Sequence, residues 1–260
     1  MQARIVGIQR GARWLGEGWQ LFRGAPLGWF AMVLAYWLLM TFASLLPLVG
    51  VVIAPVLVPA FSVGFMAAAR AVGGGQRLEL ALLFEGFRPP ALRTQLVLGL
   101  AYLACLALVL SGTALADDGA LARWMATGEQ PGEDALQSEA FLAALACAAL
   151  FYVPVMMMFW FAPPLAAWQA TGAGKALFFS FFACLMNWRA FLAYGVVTAA
   201  VTLALPFLAL SGLMLASGGA LAVPVVSLAF PLLMLLLPTL FASFYVSYRD
   251  VFASQYEPAS

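Results

Sequence analysis

Histidine is absent from this sequence, lysine occurs once as Lys175, and charged residues make up only 9% of the chain. Those shortages remove the side chains that most often serve as general acids and bases near neutral pH. Serines such as Ser180 and Ser243 are present, but no base stands at a recognisable spacing to activate either of them. Cysteine is scarce as well. Cys105, Cys147 and Cys184 sit in separate apolar segments, a spacing that suits neither a zinc site nor a disulfide framework. No acidic residue lies deep in any of the long apolar segments, and ion-coupled transporters usually keep ionisable groups there.

What the chain does have is apolar surface. Of its 260 residues 65% are hydrophobic, and the mean hydropathy is +1.00. A soluble domain is only about half apolar and a quarter charged. A transmembrane helix needs about 20 predominantly apolar residues. Six such segments are expected, near Leu27–Leu46, Val51–Ala69, Thr94–Thr113, Glu139–Ala162, Ala190–Leu210 and Leu221–Tyr245. The fold class is therefore all-α, a polytopic membrane protein over residues 1–260. Proline and glycine at the joints "PLVG" and "SGLMLASGGALAV" predict tight hairpins. The amino-terminal stretch spreads Arg4, Arg10, Arg13 and Arg23 through its first turns and lacks a signal-peptide core, so the first span is expected to be retained.

Charge placement orients the spans. Arg123 is the only one of the twelve basic residues to fall on the side opposite the others. That opposite side carries the acidic loop 114–139, with Asp117, Asp118, Glu129, Glu133, Asp134 and Glu139. The excess of arginine predicts that both termini are cytoplasmic and that the acidic loop is periplasmic. The net charge of +1 conceals this asymmetry. No nucleic-acid partner is expected.

Two stretches repeat each other without a gap, "VLVPAFSVGFMAAARAV" and "LLLPTLFASFYVSYRDV". They match Pro59 with Pro238, Phe65 with Phe244 and Arg70 with Arg249. A weaker copy, "FYVPVMMMFWFAPPLAAW", puts Pro154 at the proline position and has no arginine. The segments "GWQLFRGAPLGWF", "LALLFEGFRPPAL" and "FFSFFACLMNWRAFL" each lead from an apolar stretch into a new span, and Leu80, Leu83, Phe84 and Phe87 form one stripe at helical spacing. The economical description is six transmembrane helices as three hairpins, each preceded by a short interfacial amphipathic helix. The repeat units run approximately over residues 10–72, 76–170 and 174–253. The interfacial helices are expected at Trp14–Arg23, Gln76–Arg88 and Lys175–Trp188, on the cytoplasmic surface.

This hairpin pattern, "FAPPLAAWQATGAGKALFFSFFACLMNW" and the terminal "SFYVSYRDVF" resemble a family of six-span proteobacterial inner-membrane proteins. That family is related to the YciC-like proteins and to the membrane domain found beside some glycerophosphodiester phosphodiesterases. The resemblance implies an inner-membrane location and no particular activity, because the soluble phosphodiesterase domain is missing here.

The residues that stand out are Pro59, Pro154 and Pro238, read as helix kinks rather than hinges, and Arg70 and Arg249, read as cytoplasmic-interface anchors that could contact an anion or lipid. Met156, Met157 and Met158 point about 100° apart and cannot converge on a soft metal. Trp14, Trp19, Trp29, Trp124 and Trp188 are expected to be interface belt anchors. "AVGGGQR" lacks the Gly-Lys-Ser/Thr ending of a phosphate loop and is read as flexible punctuation. The acidic loop lacks a calcium-loop spacing and is read as solvated, with a short helix near Leu121–Thr127. No cofactor, metal or catalytic residue is expected.

Two functions remain in view. One is a non-catalytic membrane component that packs with membrane lipids, another membrane protein or a second copy of itself. The other is a transporter or channel for a small apolar or lipid-like molecule, suggested by the repeats and mid-span prolines. The thin inventory of polar residues in the spans favours the first. For the topology, a Gly128→Cys variant should react with an impermeant thiol reagent in intact spheroplasts. Reaction only after permeabilisation would reverse the orientation.

Overall fold

The computed structural model describes residues 3–45, 49–217 and 229–252, and every regular element among them is a helix. In chain order these are α1 (Ile8–Gly24), α2 (Pro26–Ser44), α3 (Val49–Gly73), a 3-10 helix (Leu80–Phe87), α4 (Ala91–Asp117), α5 (Ala120–Thr127) and α6 (Glu133–Leu136). There follow α7 (Glu139–Trp160), α8 (Ala162–Trp168), α9 (Ala173–Met186), α10 (Trp188–Ala199), a π-helical stretch (Ala200–Ala204), α11 (Leu205–Ala216) and α12 (Ala229–Phe252).

Four stretches among the described residues are long and apolar enough to cross a bilayer: Pro26–Ser44, Val52–Gly73, Ala91–Asp117 and Glu139–Trp168. The pair Ala173–Met186 and Trp188–Ala204, bent by 79°, makes a fifth if it is read as one span. The expected sixth span, Leu221–Tyr245, and both expected hairpin joints lie partly outside the described residues. The helices expected before the odd spans are present with shifted limits. α1 begins at Ile8, well before Trp14; the second is the eight-residue 3-10 helix; and α9 ends at Met186.

The described chain forms two compact units. The first comprises Met1–Trp37, Gly64–Glu85 and Ala183–Ser260; the second comprises Leu38–Val63 and Gly86–Phe182. In both, the usual distribution of polarity is inverted. Gln95, Ser180, Asn187, Ser243 and Ser247 are buried, while Leu27 is 83%, Leu108 73% and Leu115 93% exposed. Large aliphatic side chains gain nothing from facing water, whereas lipid tails are as apolar as they are. Polar groups then belong inside the protein, where they find hydrogen bonds.

Local chemistry sets the helix ends. α3 stops where Gly75 takes a left-handed conformation, with φ of 72°. The Gln76 N–H bonds the Ala71 carbonyl at 2.9 Å and the Gly75 N–H bonds the Val72 carbonyl at 3.0 Å. This pair of bonds is a Schellman cap. The three glycines of "AVGGGQR" are therefore an ordered helix stop, and the expectation of flexible punctuation is corrected. At the other end of α4, the Asp117 carboxylate accepts from the N–H groups of Gly119 at 3.0 Å and Leu121 at 2.7 Å, which starts α5. The Ser138 hydroxyl caps α7 by accepting from the Phe141 N–H at 3.2 Å.

Each short helix that precedes an odd span presses a small residue onto another helix. In the first unit, a Cβ on Gly18 of α1 would lie 2.6 Å from the Thr239 carbonyl oxygen of α12, and one on Gly11 would overlap the backbone of Ala190 in α10. In the second unit, a Cβ on Gly86 of the 3-10 helix would overlap the Ala60 carbonyl of α3. The Ser180 hydroxyl of α9 donates to the Met157 carbonyl at 2.7 Å and accepts from the Phe161 N–H at 2.9 Å, where α7 gives way to α8. Close backbone approach of this kind is how helices associate where hydrophobic burial offers no drive.

Replacing Gly11 by Val should force α1 off α10 and cost about 1–3 kcal/mol, as overpacking usually does. Thermal unfolding of the full chain in detergent should read this as a lowered midpoint. Gly16→Ala, with nothing within 4 Å of the added Cβ, should be neutral or raise the midpoint through better helix propensity. Equal midpoints for Gly11→Val and the unmodified chain would contradict the packing described.

Candidate functional site

A cluster of charged side chains lies in the first unit, where α1 meets the end of α12. Its origin is the amphipathic pattern of α1. Gly11, Trp14, Leu15, Gly18 and Phe22 form the buried stripe, while Ala12, Arg13, Gly16 and Gln20 are exposed. Arg10, Trp14 and Glu17 follow one another at spacings of four and three residues and so share an edge of the helix.

The Arg10 guanidinium gathers two carboxylates. Its Nε donates to Asp250 Oδ2 at 2.7 Å, and its Nη1 and Nη2 donate to the two oxygens of Glu17 at 2.7 and 3.3 Å. Arg249 Nη2 donates to Glu17 Oε2 at 2.6 Å, and the Trp14 indole N–H donates to Asp250 Oδ2 at 2.9 Å. Burial raises the proton affinity of the Glu17 carboxyl, but the hydrogen bonds and charges of Arg10 and Arg249 outweigh it and hold Glu17 below its ordinary range. Burial alone would make Arg10 easier to deprotonate; the same two carboxylates reverse this and keep it charged.

Trp14 carries the assembly inward. Its ring meets Phe191 edge-on at 5.2 Å and Tyr194 at 5.8 Å, and the Tyr194 hydroxyl hydrogen-bonds Ser243 Oγ at 2.7 Å. A second clamp holds the extended residues before α1. Asn187, buried at the turn between α9 and α10, accepts from the Val6 N–H at 2.7 Å and donates to the Arg4 carbonyl at 3.0 Å and the Ala183 carbonyl at 2.9 Å. The Arg4 N–H donates to the Val251 carbonyl at 2.9 Å. The beginning of the chain is thus tied to α10 and α12 by side chain and backbone together.

Chemically this is a holding arrangement. Both carboxylates are engaged by guanidinium groups, so neither is poised as a general base. Among the described residues no group of three or more His, Cys, Asp or Glu is placed to hold a metal ion.

Of the residues singled out in the sequence, Arg249 enters this cluster as a partner of Glu17. Arg70 is exposed near the end of α3, and both arginines lie within electrostatic reach of Tyr245. Pro59 and Pro238 are buried inside α3 and α12, whereas Pro154 is exposed inside α7; all three helices run on through their prolines. The tryptophan expectation needs correction. Trp14 and Trp29 are both fully buried, the indole N–H of Trp29 donating to the Leu21 carbonyl at 3.2 Å, so they are packing residues. Trp19 and Trp188, at 41% and 54% exposure, keep the accessibility a belt anchor requires.

Arg10, Glu17, Asp250 and Asn187 were not singled out as site residues in the sequence. A signal existed for two of them. Glu17 is the only acidic residue before Glu79, and Asp250 is the only one between Glu139 and Glu257. A lone carboxylate among arginines is a natural ion-pair partner.

Comparison with known proteins supplies the family. The chain is 38% identical over 265 aligned positions to a "probable inner membrane protein" of Burkholderia thailandensis, an alignment covering 100% of this chain and 97% of the relative. The chain belongs to that protein's family. No family model and no solved structure matches it. Membership over the whole length means that the paired segments at the two ends of the chain both lie within the shared region.

Replacing Glu17 by Gln should leave Arg10 and Arg249 without a shared carboxylate and cost about 1 kcal/mol, a modest value because the site is partly solvated. Because the folded-state affinity of Glu17 for protons is lowered, its contribution is complete above the ordinary glutamate value of about 4.3. It is lost as pH falls through the lower folded value. Thermal unfolding from pH 7 to pH 3 should therefore show a smaller acid-induced loss in Glu17→Gln than in the unmodified chain. Parallel losses would mean that Glu17 is not coupled to the fold.

Proposed function

We propose that this chain is a non-catalytic, multi-pass inner-membrane protein that packs with membrane lipids and supports a membrane partner or a second copy of itself. The observation that carries the reading is the inverted polarity, with leucines outside and serine, asparagine and glutamine inside. The printed name of the relative from Burkholderia thailandensis agrees with an inner-membrane location. In this reading α10 and α11 together make the fifth span and α12 the sixth. The termini, the short helices and the Arg10 cluster then lie on the cytoplasmic side, as the arginine excess requires.

The short helices fit a position in the plane of the membrane. α9, with 14 residues, reaches about 21 Å at the helical rise, too little to cross. It has Phe178, Phe182 and Leu185 exposed and Ala176, Ser180 and Ala183 buried, and it turns away from α10 by 79°. The carbonyls of Ala60 and Thr239, each the residue after a matched proline, both receive a glycine from a short helix, Gly86 and Gly18. That correspondence supports duplication of the two segments that carry these prolines, while the proposed kinship to the YciC-like proteins and to the phosphodiesterase membrane domain rests on the sequence resemblance.

A lipid-handling reading has one observation behind it. The π-helical stretch borders an open, apolar groove of about 600 Å³, lined by Ala199, Ala200, Thr202, Leu203, Ala204 and Phe207, and π-helical segments recur at functional sites. Reconstitution of the full chain into vesicles with a fluorescent phospholipid separates the two. Transbilayer exchange at the rate of protein-free vesicles is expected. Exchange that accelerates with protein copy number and is abolished by Ala200→Trp would replace the supporting role with lipid transport.

A further inference from the structure

One exposed row of α10 runs from a cation to the π-helical stretch. Arg189, Leu192, Val196 and Ala199 follow one another at spacings of three, four and three residues, which places them on one side of the helix. All four are exposed, Leu192 by 58% and Val196 by 63%. The helix does not break where the row meets the π-helical stretch, because the Ala200 N–H bonds the Val196 and Val197 carbonyls. Four residues beyond Ala199 the row continues in Leu203, 69% exposed, which is a wall of the apolar groove. We propose that this row is the binding track of one phospholipid of the cytoplasmic leaflet, whose phosphate meets Arg189 and whose acyl chain ends in the groove.

Both ends of the track suit that occupant. The Arg189 guanidinium lies over the Trp188 indole, 5.4 Å from the ring centre. The ring steadies the cation, and the planar fork of guanidinium N–H groups matches two phosphate oxygens. The sequence holds no carboxylate from residue 140 to residue 249, and those of Glu17 and Asp250 are engaged by Arg249 and Arg10. At the other end, Ala199, Ala200 and Ala204 leave room that Leu203 and Phe207 border. Thr202, the polar side chain of the lining, donates its hydroxyl to the Thr198 carbonyl at 2.7 Å. A groove whose polar group is already spent takes a hydrocarbon chain rather than a head.

The length of the track favours a lipid over a smaller apolar molecule. From Arg189 to Ala199 is about 15 Å at the helical rise, and half of the hydrocarbon thickness is also about 15 Å. With α10 as the start of the fifth span, the guanidinium stands at the headgroups and the groove at the depth where the acyl chains of that leaflet end. This placement rests on the membrane reading. A lipid held along its length is a component of the protein's packing, in keeping with a supporting role.

The test uses the full chain in phospholipid vesicles that contain a trace of phosphatidylethanolamine with a photoactivated diazirine at the end of one acyl chain. After irradiation the labelled residues are mapped by mass spectrometry. Leu150, 69% exposed in the middle of α7, is the reference for chance contact with lipid. Labelling within residues 199–207 should exceed that at Leu150 several-fold. Arg189→Gln, at an exposed position, should keep the thermal midpoint and bring the labelling down to the Leu150 level. Ala200→Trp, which fills the groove, should do the same. Diacylglycerol with the same labelled chain should stay at that level, since it lacks the phosphate. Labelling no higher than at Leu150 in the unmodified chain would overturn the proposal, and so would an excess that diacylglycerol or the Arg189→Gln variant reproduces in full. Failure of the membrane reading shows separately, as release of the native protein from membranes by alkaline carbonate.

Discussion

Arg10 of α1 bonds a carboxylate 240 positions further along the chain, Asp250 of α12, while also holding Glu17 of its own helix. The described arrangement of the first unit hangs on this closure. α1 is too polar to be a span and too short of partners to be stable alone, since isolated helices of its length are marginal in water. It is held because its small residues let it sit directly on the backbones of α10 and α12, and because the guanidinium and indole groups at its edge are matched by acceptors there. Neither contribution suffices by itself. Without the glycines the helices could not come near enough for the ion pairs, and without the ion pairs a charged edge would be buried at a cost.

The same economy runs through the second unit with different chemistry. Gln95 is fully buried and donates to the Pro163 carbonyl at 2.9 Å, and the Thr171 hydroxyl donates to the Leu165 carbonyl at 2.6 Å. Tyr102 and Tyr152 hydrogen-bond each other at 2.8 Å between α4 and α7. Where proline and helix breaks interrupt the backbone pattern, side-chain hydroxyls and amides take up the groups that are left, as they must in a medium that offers no water. The polar residues that looked too few and too scattered for a transport path are thus sufficient for internal glue.

The pairing of Glu17 with arginines also bears on the repeat. Arg70 and Arg249 occupy matched positions in the sequence, and Arg249 bonds Glu17 because α1 lies on α12. Arg249 thereby ties α12 to α1.

Composition and hydropathy determined that the chain is helical and built for a membrane, because an apolar run of that length has one stable home and one backbone geometry there. Charge placement set the expected orientation, and the run-in segments before the odd spans predicted short helices near where they occur, because amphipathic spacing is local. What the sequence could not decide was which residues meet. Trp14 and Trp29 read as surface anchors and are fully buried, and "AVGGGQR" read as loose and is a closed helix cap. Glu17 gains Arg249, Asp250 gains Arg10 and Asn187 gains Val6 from about 180 to 240 positions away along the chain, and the packing of the tertiary structure alone brings such distant segments within hydrogen-bond reach.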